Sequence, residues 1–203
     1  MKKIPTLFER IYEGKKVVGI KDQVKEGLEW VLAGEGDATI KIDGSCCAIV
    51  NGVFYKRYDA KKGKMPPNGA IPCCDPDPVT GHWPHWVKVD WDNPADKWFV
   101  EAFRNTFQSV DGVAKAYKNV TVTFEAIGPH FQGNPYNYDL DILEPHGALI
   151  IQNLDRSFEG IRDFLNNHLI EGIVFWKDGE PQCKIKRTDF GFEWPVKNEG
   201  EQK

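Results

Sequence analysis

The sequence predicts an α+β fold in which antiparallel strands predominate and helices are few. Segments that alternate apolar and polar residues recur along the chain, as at 119–128, and such alternation is typical of strands. Two turn signals, Asn51-Gly52 and Asp178-Gly179, each separate two strand-like segments, as expected for β-hairpins. Apolar residues make up 41% of the 203 positions, which is enough to form the core of a single domain covering 1–203.

In the amino-terminal half we expect a helix followed by a hairpin. Residues 22–33 are predicted to form an amphipathic helix, because their apolar residues recur at helical spacing and Gly34 follows the end. Strand-like segments follow at 38–43, 46–50 and 53–58. The stretch 60–84 is dense in proline, glycine and aspartate, so we expect a long loop, which in a compact domain is usually functional or disordered.

In the carboxyl-terminal half, predicted helices and strands are interspersed. A helix is expected from Pro94 to Phe107, and another over 158–168 with Ser157 as its N-cap. The predicted strands lie at 85–89, 119–128, 147–151, 172–176 and 182–187. The polar end of the chain, 197–203, is expected to be frayed.

The cysteines and the charge restrict the class of protein. The five cysteines include two adjacent pairs, which make a poor disulfide framework, so we expect free thiols in a reducing, cytoplasmic protein. No apolar run is long enough to span a membrane, and we expect a monomer without a membrane partner. The formal net charge of −4 argues against a protein that coats nucleic acid, although 56–64 and 184–187 are locally basic.

The loop 60–84 contains residues that are compatible with two different functions. Residue types that bind metals occur in this loop at Cys73, Cys74 and His82, and directly after it at His85. The cysteines are adjacent, however, and the ligand spacing of a structural zinc site is missing. The alternative is a loop that is ordered by its tryptophans and contacts RNA through stacking and polar groups.

Charged residues occur on several strands that otherwise resemble buried ones. Lys41 ends one such strand, Glu125 interrupts another, and Glu171 directly precedes a third. Lys184 and Lys186 are two positions apart, so on a strand both side chains point to one face. Each residue alone could be an ordinary surface residue, but buried strands seldom carry charge without a partner or ligand. Their recurrence therefore indicates a functional site.

The order of these residues resembles the covalent nucleotidyltransferase superfamily of ATP-dependent DNA ligases, RNA ligases and mRNA capping enzymes. Its motifs correspond here to KIDG at 41–44, YKRY at 55–58, FEAIG at 124–128, EGIVF at 171–175 and KIK at 184–186. KxDG alone is weakly specific, whereas five elements in this order are a strong signal. The resemblance covers roughly 36–196 and is greatest to a compact RNA ligase family that lacks a carboxyl-terminal oligonucleotide-binding (OB) barrel.

The resemblance implies an antiparallel-sheet-rich adenylyltransferase domain of the ATP-grasp-like ligase type, without an OB-fold domain. It implies that Lys41 attacks the α-phosphate of ATP and then carries a covalent AMP. A lysine must lose its proton before it attacks, and burial together with neighbouring cations favours that loss. Lys184 and Lys186 would supply such cations and would bind the phosphate.

The resemblance also implies roles for residues that bind the nucleotide and a metal ion. Glu125 would hold the ribose hydroxyls, and Arg57 would contribute a guanidinium to the nucleotide. Glu171 and Asp43 would bind Mg²⁺ or Mn²⁺, which prefer oxygen ligands. Ile40, Phe124 and Val174 are candidates for packing against the adenine.

The chain departs from the common family pattern in two places. Where many members have KxDGxR, Cys46 stands at the arginine position, and Arg57 on the partner strand is a candidate substitute. Too few residues follow KIK for an OB barrel, so RNA contacts are expected from the basic strand and the loop after it. The lysines predicted to bind RNA are Lys56, Lys61, Lys62 and Lys64.

The resulting hypothesis is an ATP-dependent RNA ligase that joins 5′-phosphate and 3′-hydroxyl ends of RNA. One alternative keeps the superfamily but changes the substrate, to a DNA ligase or a GTP-dependent capping-type enzyme. A second alternative is a nucleotide- or RNA-binding module without catalysis. That module would not need Lys41 or the lysine pair at 184 and 186, all of which are present.

Overall fold

The computed structural model describes residues 3–14, 16–61, 63–78 and 80–196. Within them the chain divides into two compact units, a first unit of Gly44–His146 and a second unit of Lys3–Asp43 together with 147–196. The first unit is therefore inserted in the chain between two parts of the second. A single nucleotidyltransferase domain stays a prediction, and the expected frayed tail, 197–203, lies outside the described residues.

Strands account for most of the regular structure. The strands are β1 (Phe8–Glu13), β2 (Lys16–Val24), β3 (Asp37–Lys41), β4 (Ser45–Val50), β5 (Val53–Ala60), β6 (Ile71–Pro72), β7 (Trp83–Lys88), β8 (Thr121–Ile127), β9 (Ile142–Pro145), β10 (Gly172–Lys177) and β11 (Glu180–Lys186). The helices are α1 (Lys97–Thr106), α2 (Val110–Ala116) and α3 (Phe158–Asn167), with 3-10 helices at Glu29–Val31, Pro94–Asp96 and Arg187–Phe190. In the part of the chain that the structure describes, none of the helices combines the length and apolar character needed to cross a membrane.

The described strands form three antiparallel groups. β1 and β2 form a hairpin, β11, β10 and β3 form a small sheet in that order, and the other strands form a large sheet in the order β6-β7-β5-β4-β8-β9. The hairpin and the small sheet belong to the second unit, and the large sheet to the first. The predicted α+β fold with antiparallel sheets and few helices is confirmed, whereas the specific nucleotidyltransferase fold stays a prediction.

One face of the small sheet forms the core of the second unit. Ala38, Phe175 and Cys183 are paired across its three strands, so their side chains share this face. Ile161 and Leu165 of α3 pack into the same cluster, and both are fully buried. Burial of side chains of this size stabilises the fold by about 1.5–3 kcal/mol each. The opposite face of the small sheet remains available for polar residues.

One face of the large sheet likewise forms the core of the first unit. Cys47 pairs with Phe124 across β4 and β8, and both are buried. Phe54 of β5 packs against Phe103 of α1, with ring centroids 5.1 Å apart. Because side chains alternate along a strand, Cys46 and the other neighbours of these core residues point to the opposite face.

The predicted hairpin turns and helix cap are confirmed. Asn51 and Gly52 have φ of 51° and 79°, and Asp178 and Gly179 have φ of 54° and 76°. Positive φ at both central residues is the conformation of the two-residue turns that match the twist of paired strands. The Ser157 side chain accepts a hydrogen bond from the backbone N–H at position 160 at 3.0 Å, as expected for an N-cap.

Residues 22–33 do not form the predicted helix, and that prediction was wrong. β2 continues to Val24, which pairs with Phe8, so the start of the segment belongs to a hairpin. Gly27 then takes φ of +82°, a left-handed conformation that ends the extended chain, and a 3-10 helix at Glu29–Val31 follows. Tertiary pairing with β1 thus outweighs the helical spacing of the apolar residues.

The predicted strand 147–151 was also wrong, because the chain here makes an isolated bridge between Thr39 and Ile150. Gly147, with φ of +83°, takes a turn conformation at the start of this segment. The sequence did not predict α2, β9 or the short strand β6, which lies inside the expected loop 60–84. These elements are short, so the periodicity that identifies longer elements is too weak in them.

All five cysteines lie in the described part of the chain, and each has a free thiol, as predicted. Cys47 and Cys183 are buried in the two cores. Burial raises the pKa of Cys183 to about 12, so this thiol stays protonated near neutral pH and packs as a small apolar group. A reducing, cytoplasmic location stays a prediction.

Candidate functional site

Three lysines lie on the face of the small sheet that is opposite to its core. Gly172, the first residue of the central strand β10, pairs with Lys41 on one side and with Lys186 on the other. Val174, two residues further along β10, pairs with Lys184. Directly paired residues share a face, as do residues two apart on a strand. Lys41, Lys184 and Lys186 therefore form a cluster, which we call the lysine cluster.

The carboxylate of Glu171 joins two lysines of this cluster. One of its oxygens contacts Lys41 Nζ, and the other lies 2.5 Å from Lys186 Nζ. Glu171 is 5% exposed, whereas the two lysine side chains are 21% and 32% exposed. Ion pairs on both oxygens partner this buried carboxylate and hold the two amino groups beside it.

The surroundings of Lys184 clearly lower its proton affinity. Burial, and then the positive charges of Lys41 and Lys186, lower the pKa of Lys184 to about 8, while Glu171 acts in the opposite direction. Lys184 is still mostly protonated at neutral pH. The lysine cluster therefore concentrates positive charge beside one carboxylate, which is an environment that favours a phosphate.

Asp43 interacts electrostatically with Glu171 and with two lysines of the cluster, Lys41 and Lys186. The indole N–H of Trp194 donates a hydrogen bond to Asp43 Oδ2 at 2.8 Å. Burial raises the pKa of Asp43, the Trp194 hydrogen bond opposes this shift, and the negative charge of Glu171 adds to it. Two carboxylates that influence each other in this way can share a cation.

Gly172 allows β11 to approach β10 closely. A Cβ at this position would lie 2.2 Å from the carbonyl oxygen of Ile185 and 3.0 Å from the Cα of Lys186. A side chain would therefore push β11 away from β10. Glycine at position 172 therefore lets β11 lie close to β10, which keeps Lys186 within reach of the Glu171 carboxylate.

Asp189, which belongs to none of the family motifs, contacts the end of the strand that carries Lys186. It is 4% exposed, and its Oδ1 accepts hydrogen bonds from the Arg10 guanidinium at 2.8 and 3.1 Å. Its Oδ2 accepts from the backbone N–H of Lys186 at 3.0 Å, so the end of β11 is tied to β1. No sequence pattern singles out Arg10, because its partner lies 179 positions further along the chain.

A second group of polar side chains lies on the large sheet, opposite to the core of the first unit. Cys46 pairs with Glu125 across β4 and β8, and His146 follows directly after β9, the neighbour of β8. His146 Nε2 lies 2.7 Å from Glu125 Oε2. The sequence singled out Glu125 but not His146, since only the pairing of β9 with β8 brings the imidazole to this place.

Arg57 lies beside the Cys46 thiol. Burial raises the pKa of Cys46 to about 12, Glu125 adds to this shift, and the Arg57 guanidinium opposes it. Arg57 Nε also donates to Asp59 Oδ1 at 2.7 Å. The guanidinium from β5 thus reaches the residue that occupies the arginine position of KxDGxR, while its role in nucleotide binding stays a prediction.

The lysines predicted to contact RNA have different surroundings. Lys56 forms an ion pair with the carboxylate of Asp96, which is 2% exposed, so its charge is already partnered within the first unit. Lys61 and Lys64 are exposed beyond the end of β5, and Lys62 lies outside the described residues. A role in RNA binding stays a prediction for all four.

Ile40, which we expected to pack against adenine, lies on the face opposite to the lysine cluster. It pairs with Ile173, and Ile173 and Ile185 on that face are fully buried. Trp176 lies on the lysine face instead. There its indole N–H donates a hydrogen bond at 2.9 Å to Oγ1 of Thr39, the residue before Ile40. The register thus separates the side chain of Ile40 from the cluster, and its adenine contact stays a prediction.

His82 of the 60–84 loop and His85 of β7 each contact another group of the protein. His85 is 1% exposed, and its Nδ1 lies 2.9 Å from the carbonyl oxygen of Trp83. His82 Nε2 lies 3.6 Å from the carboxylate of Asp59. Across the described ranges, the donor atoms of histidine, cysteine and acidic residues converge as a possible metal-binding trio at Cys46, Glu125 and His146.

The residues predicted to bind Mg²⁺ have the correct donor chemistry. Glu171 and Asp43 offer carboxylate oxygens, which are the ligands that this hard cation prefers. Both oxygens of Glu171 contact lysines, however. A divalent ion bound here would replace one of those lysine contacts or be held largely by phosphate oxygens.

Comparison with known proteins shows a partial likeness to an RNA ligase. No known protein family has a sequence profile that matches the chain. The chain is 31% identical over 140 residues to RNA ligase 1 of Danio rerio, and the match covers 57% of this chain and 43% of that protein. The chain therefore spans less than half of the length of this relative. The likeness indicates relatedness to RNA ligases.

Proposed function

We propose that the protein is an ATP-dependent RNA ligase that joins a 5′-phosphate to a 3′-hydroxyl through an AMP bound covalently to Lys41. The observation that supports this most is the contact of Lys41 and Lys186 with the two oxygens of Glu171. A lysine held beside a carboxylate and further cations on one sheet face suits attack on a phosphate. The partial likeness to a protein named RNA ligase 1 supports RNA as the substrate.

In the first step, the unprotonated amine of Lys41 attacks the α-phosphorus of ATP. An N–P bond forms, the bond from this phosphorus to the bridging oxygen of the β-phosphate breaks, and pyrophosphate leaves. The nitrogen loses a proton, which Glu171 can accept because it contacts the same nitrogen. The product is a phosphoramidate between Lys41 and AMP.

Lys184 and Lys186 stabilise the negative charge that grows on the phosphoryl oxygens during this attack. Lys184 is largely desolvated, so its charge acts in surroundings of lower dielectric than water. A divalent cation such as Mg²⁺, when bound by Glu171, Asp43 and the phosphates, would neutralise further charge on the phosphate chain. The Trp194 hydrogen bond orients Asp43 for this contact.

In the later steps, AMP passes to RNA and is then displaced. An oxygen of the RNA 5′-phosphate attacks the phosphorus of the lysyl-AMP, the N–P bond breaks, and Lys41 regains a proton. The 3′-hydroxyl of the other end then attacks the 5′-phosphate, AMP leaves, and the hydroxyl proton goes to solvent. The exposed lysines Lys61 and Lys64 are suited to contact the RNA backbone.

The proposal is tested by incubating the protein with Mg²⁺ and α-³²P-labelled ATP and separating it on a denaturing gel. The variant Lys41→Ala removes the nucleophile, and Lys177→Ala is the matched control, because Lys177 lies on β10 of the same sheet and forms an exposed pair with Glu35. We expect a labelled band with the wild type and Lys177→Ala but not with Lys41→Ala. Intact-protein mass should show the addition of one AMP.

Labelled protein is next given RNA or DNA with 5′-phosphate and 3′-hydroxyl ends. Transfer of label to RNA and formation of joined product would support an RNA ligase, whereas transfer to DNA alone would indicate a DNA ligase. Labelling with GTP instead of ATP would indicate capping-type chemistry. If neither nucleotide labels protein that mass spectrometry shows to be free of AMP beforehand, the enzyme proposal fails.

A further inference from the structure

Cys46, Glu125 and His146 bring three different metal-ligand types to one point on the large sheet. A thiol sulfur, a carboxylate oxygen and an imidazole nitrogen all lie within 4.8 Å of one another. They come from β4, from β8 and from the residue after β9, so three hydrogen-bonded neighbours of one sheet fix their spacing. All three side chains are partly buried.

The imidazole of His146 is held on both sides. Its Nδ1 lies 2.8 Å from Thr123 Oγ1, and its Nε2 lies 2.7 Å from Glu125 Oε2. The donor and acceptor roles depend on the tautomer. In one tautomer Nε2 donates to the Glu125 carboxylate and Nδ1 accepts from the threonine hydroxyl. In the other Nδ1 donates to the threonine hydroxyl, and the lone pair of Nε2 faces a carboxylate oxygen that also carries lone pairs. Two acceptors at this distance need a proton or a cation between them. Metal-binding histidines usually have such a partner on the second nitrogen.

The donor set matches the chemistry of one class of ion. A thiolate with an imidazole and a carboxylate suits zinc and related divalent transition metals, whereas Mg²⁺ and Ca²⁺ prefer oxygen alone. One thiolate and one carboxylate also balance the charge of a divalent ion. Burial has made the Cys46 thiol hard to ionise in the metal-free protein, so the ion must displace the thiol proton when it binds.

We propose that Cys46, Glu125 and His146 form a binding site for a single divalent ion of the zinc type. Three protein ligands leave a fourth position of a tetrahedral ion for water or another small ligand. Zinc bonds of about 2.0–2.3 Å place the ligand atoms about 3.2–3.7 Å apart. His146 Nε2 and Glu125 Oε2, which lie 2.7 Å apart, would therefore separate slightly, while the Cys46 sulfur, within 4.8 Å of both residues' ligand atoms, would adjust to the same spacing. This is a side-chain adjustment and needs no change in strand pairing.

The site uses none of the lysine cluster. It does involve Glu125, to which the family resemblance assigns the ribose hydroxyls. Glu125 cannot bind a ribose and the ion with the same oxygen at once. Metal binding is therefore measured directly, without nucleotide and without reference to ligase activity.

The experiment titrates reduced, metal-free protein with Co²⁺, which replaces Zn²⁺ in such sites and gives a charge-transfer absorption band when a thiolate binds it. We expect one equivalent of Co²⁺ to produce this band and Zn²⁺ to displace it. Cys46→Ser should abolish the band, and His146→Gln should weaken Co²⁺ binding about 100-fold. Thr123→Val, which keeps the shape but loses the hydroxyl, should weaken binding about tenfold.

The matched controls are Cys73→Ser and Cys74→Ser, which remove thiols from the 60–84 loop instead. Both should keep the band at full strength. Far-ultraviolet circular dichroism establishes that each variant is folded, and if Cys46→Ser fails this test, His146→Gln and Thr123→Val decide the matter. Absence of the band in wild type at millimolar Co²⁺ would overturn the proposal. A band that survives in Cys46→Ser, or is lost in the loop variants, would overturn it equally.

Discussion

Lys41 and Lys186 lie on strands that are separated by β10, yet both reach the carboxylate of Glu171. The two lysines are paired with the same residue, Gly172, from opposite sides. A single Glu-Gly pair therefore sets the spacing between the proposed nucleophile and a cation that would stabilise its transition state. The following predictions test this arrangement.

Glu171→Gln should slow labelling of Lys41 by ATP about 100-fold, because the loss of the carboxylate leaves the two amino groups unfixed and mutually repelling. The free energy of unfolding should fall by about 2 kcal/mol. Glu180→Gln, at an exposed position on β11, is the control and should change neither quantity. Rates are measured with labelled ATP and stabilities by urea unfolding. Equal labelling by Glu171→Gln and wild type would remove Glu171 from the mechanism.

Lys184→Met should remove the pH dependence that Lys184 gives to the free energy of unfolding. The pKa of Lys184 is lowered from 10.5 to about 8 in the folded protein, so between these values the unfolded chain binds more protons. The free energy of unfolding of wild type should therefore rise relative to the variant across this window, by at most about 3 kcal/mol. Urea unfolding of both proteins below pH 8 and near pH 10.5 measures the difference. A difference that does not depend on pH would contradict the predicted desolvation.

Gly172→Ala should lower the free energy of unfolding by about 1–3 kcal/mol, since the new Cβ would lie 2.2 Å from the Ile185 carbonyl oxygen. Displacement of β11 should also slow labelling of Lys41. Gly19→Ala on β2 is the matched control, because a Cβ there meets nothing closer than Ile11 Cδ1 at 3.9 Å. Thermal unfolding of the two variants makes the comparison, and similar midpoints would show that β11 accommodates the methyl group.

Trp194→Phe should raise the pKa of Asp43 further, because the indole hydrogen bond that favours the carboxylate is lost. Carbon-13 NMR titration of the aspartate side chains measures this shift directly. Trp91→Phe is the control for loss of an indole in the first unit, and it should leave the Asp43 titration unchanged. A lower Asp43 pKa in Trp194→Phe would contradict the assigned role of the hydrogen bond.

Local features of the fold were predictable from the sequence. The turn residues Asn51-Gly52 and Asp178-Gly179 located two hairpins, since positive φ is a property of those residues themselves. The spacing of Lys184 and Lys186 likewise placed both on one strand face. The hairpin of β1 and β2 was missed, although Gly14, with φ of +60°, lies between the two strands and is the signal that could have located it.

The assembly of the candidate site was not predictable from local features. Lys41 meets Glu171 across 130 positions, and only the register of β3 with β10 places them together. The order of family motifs named these residues, but it did not show that Ile40 faces away from them. His146 and Arg10 were missed for the same reason, because each contacts the site residues through strand pairing or a distant partner.

The insertion of Gly44–His146 between the two parts of the second unit also has a consequence for synthesis on the ribosome. Glu171 is made 130 residues after Lys41, a delay of roughly 7–26 s at about 5–20 residues per second. All of the inserted unit leaves the exit tunnel before β10, the strand that pairs with β3. Lys41 is therefore without its carboxylate for most of translation, and the lysine cluster is completed only when β10 and β11 emerge.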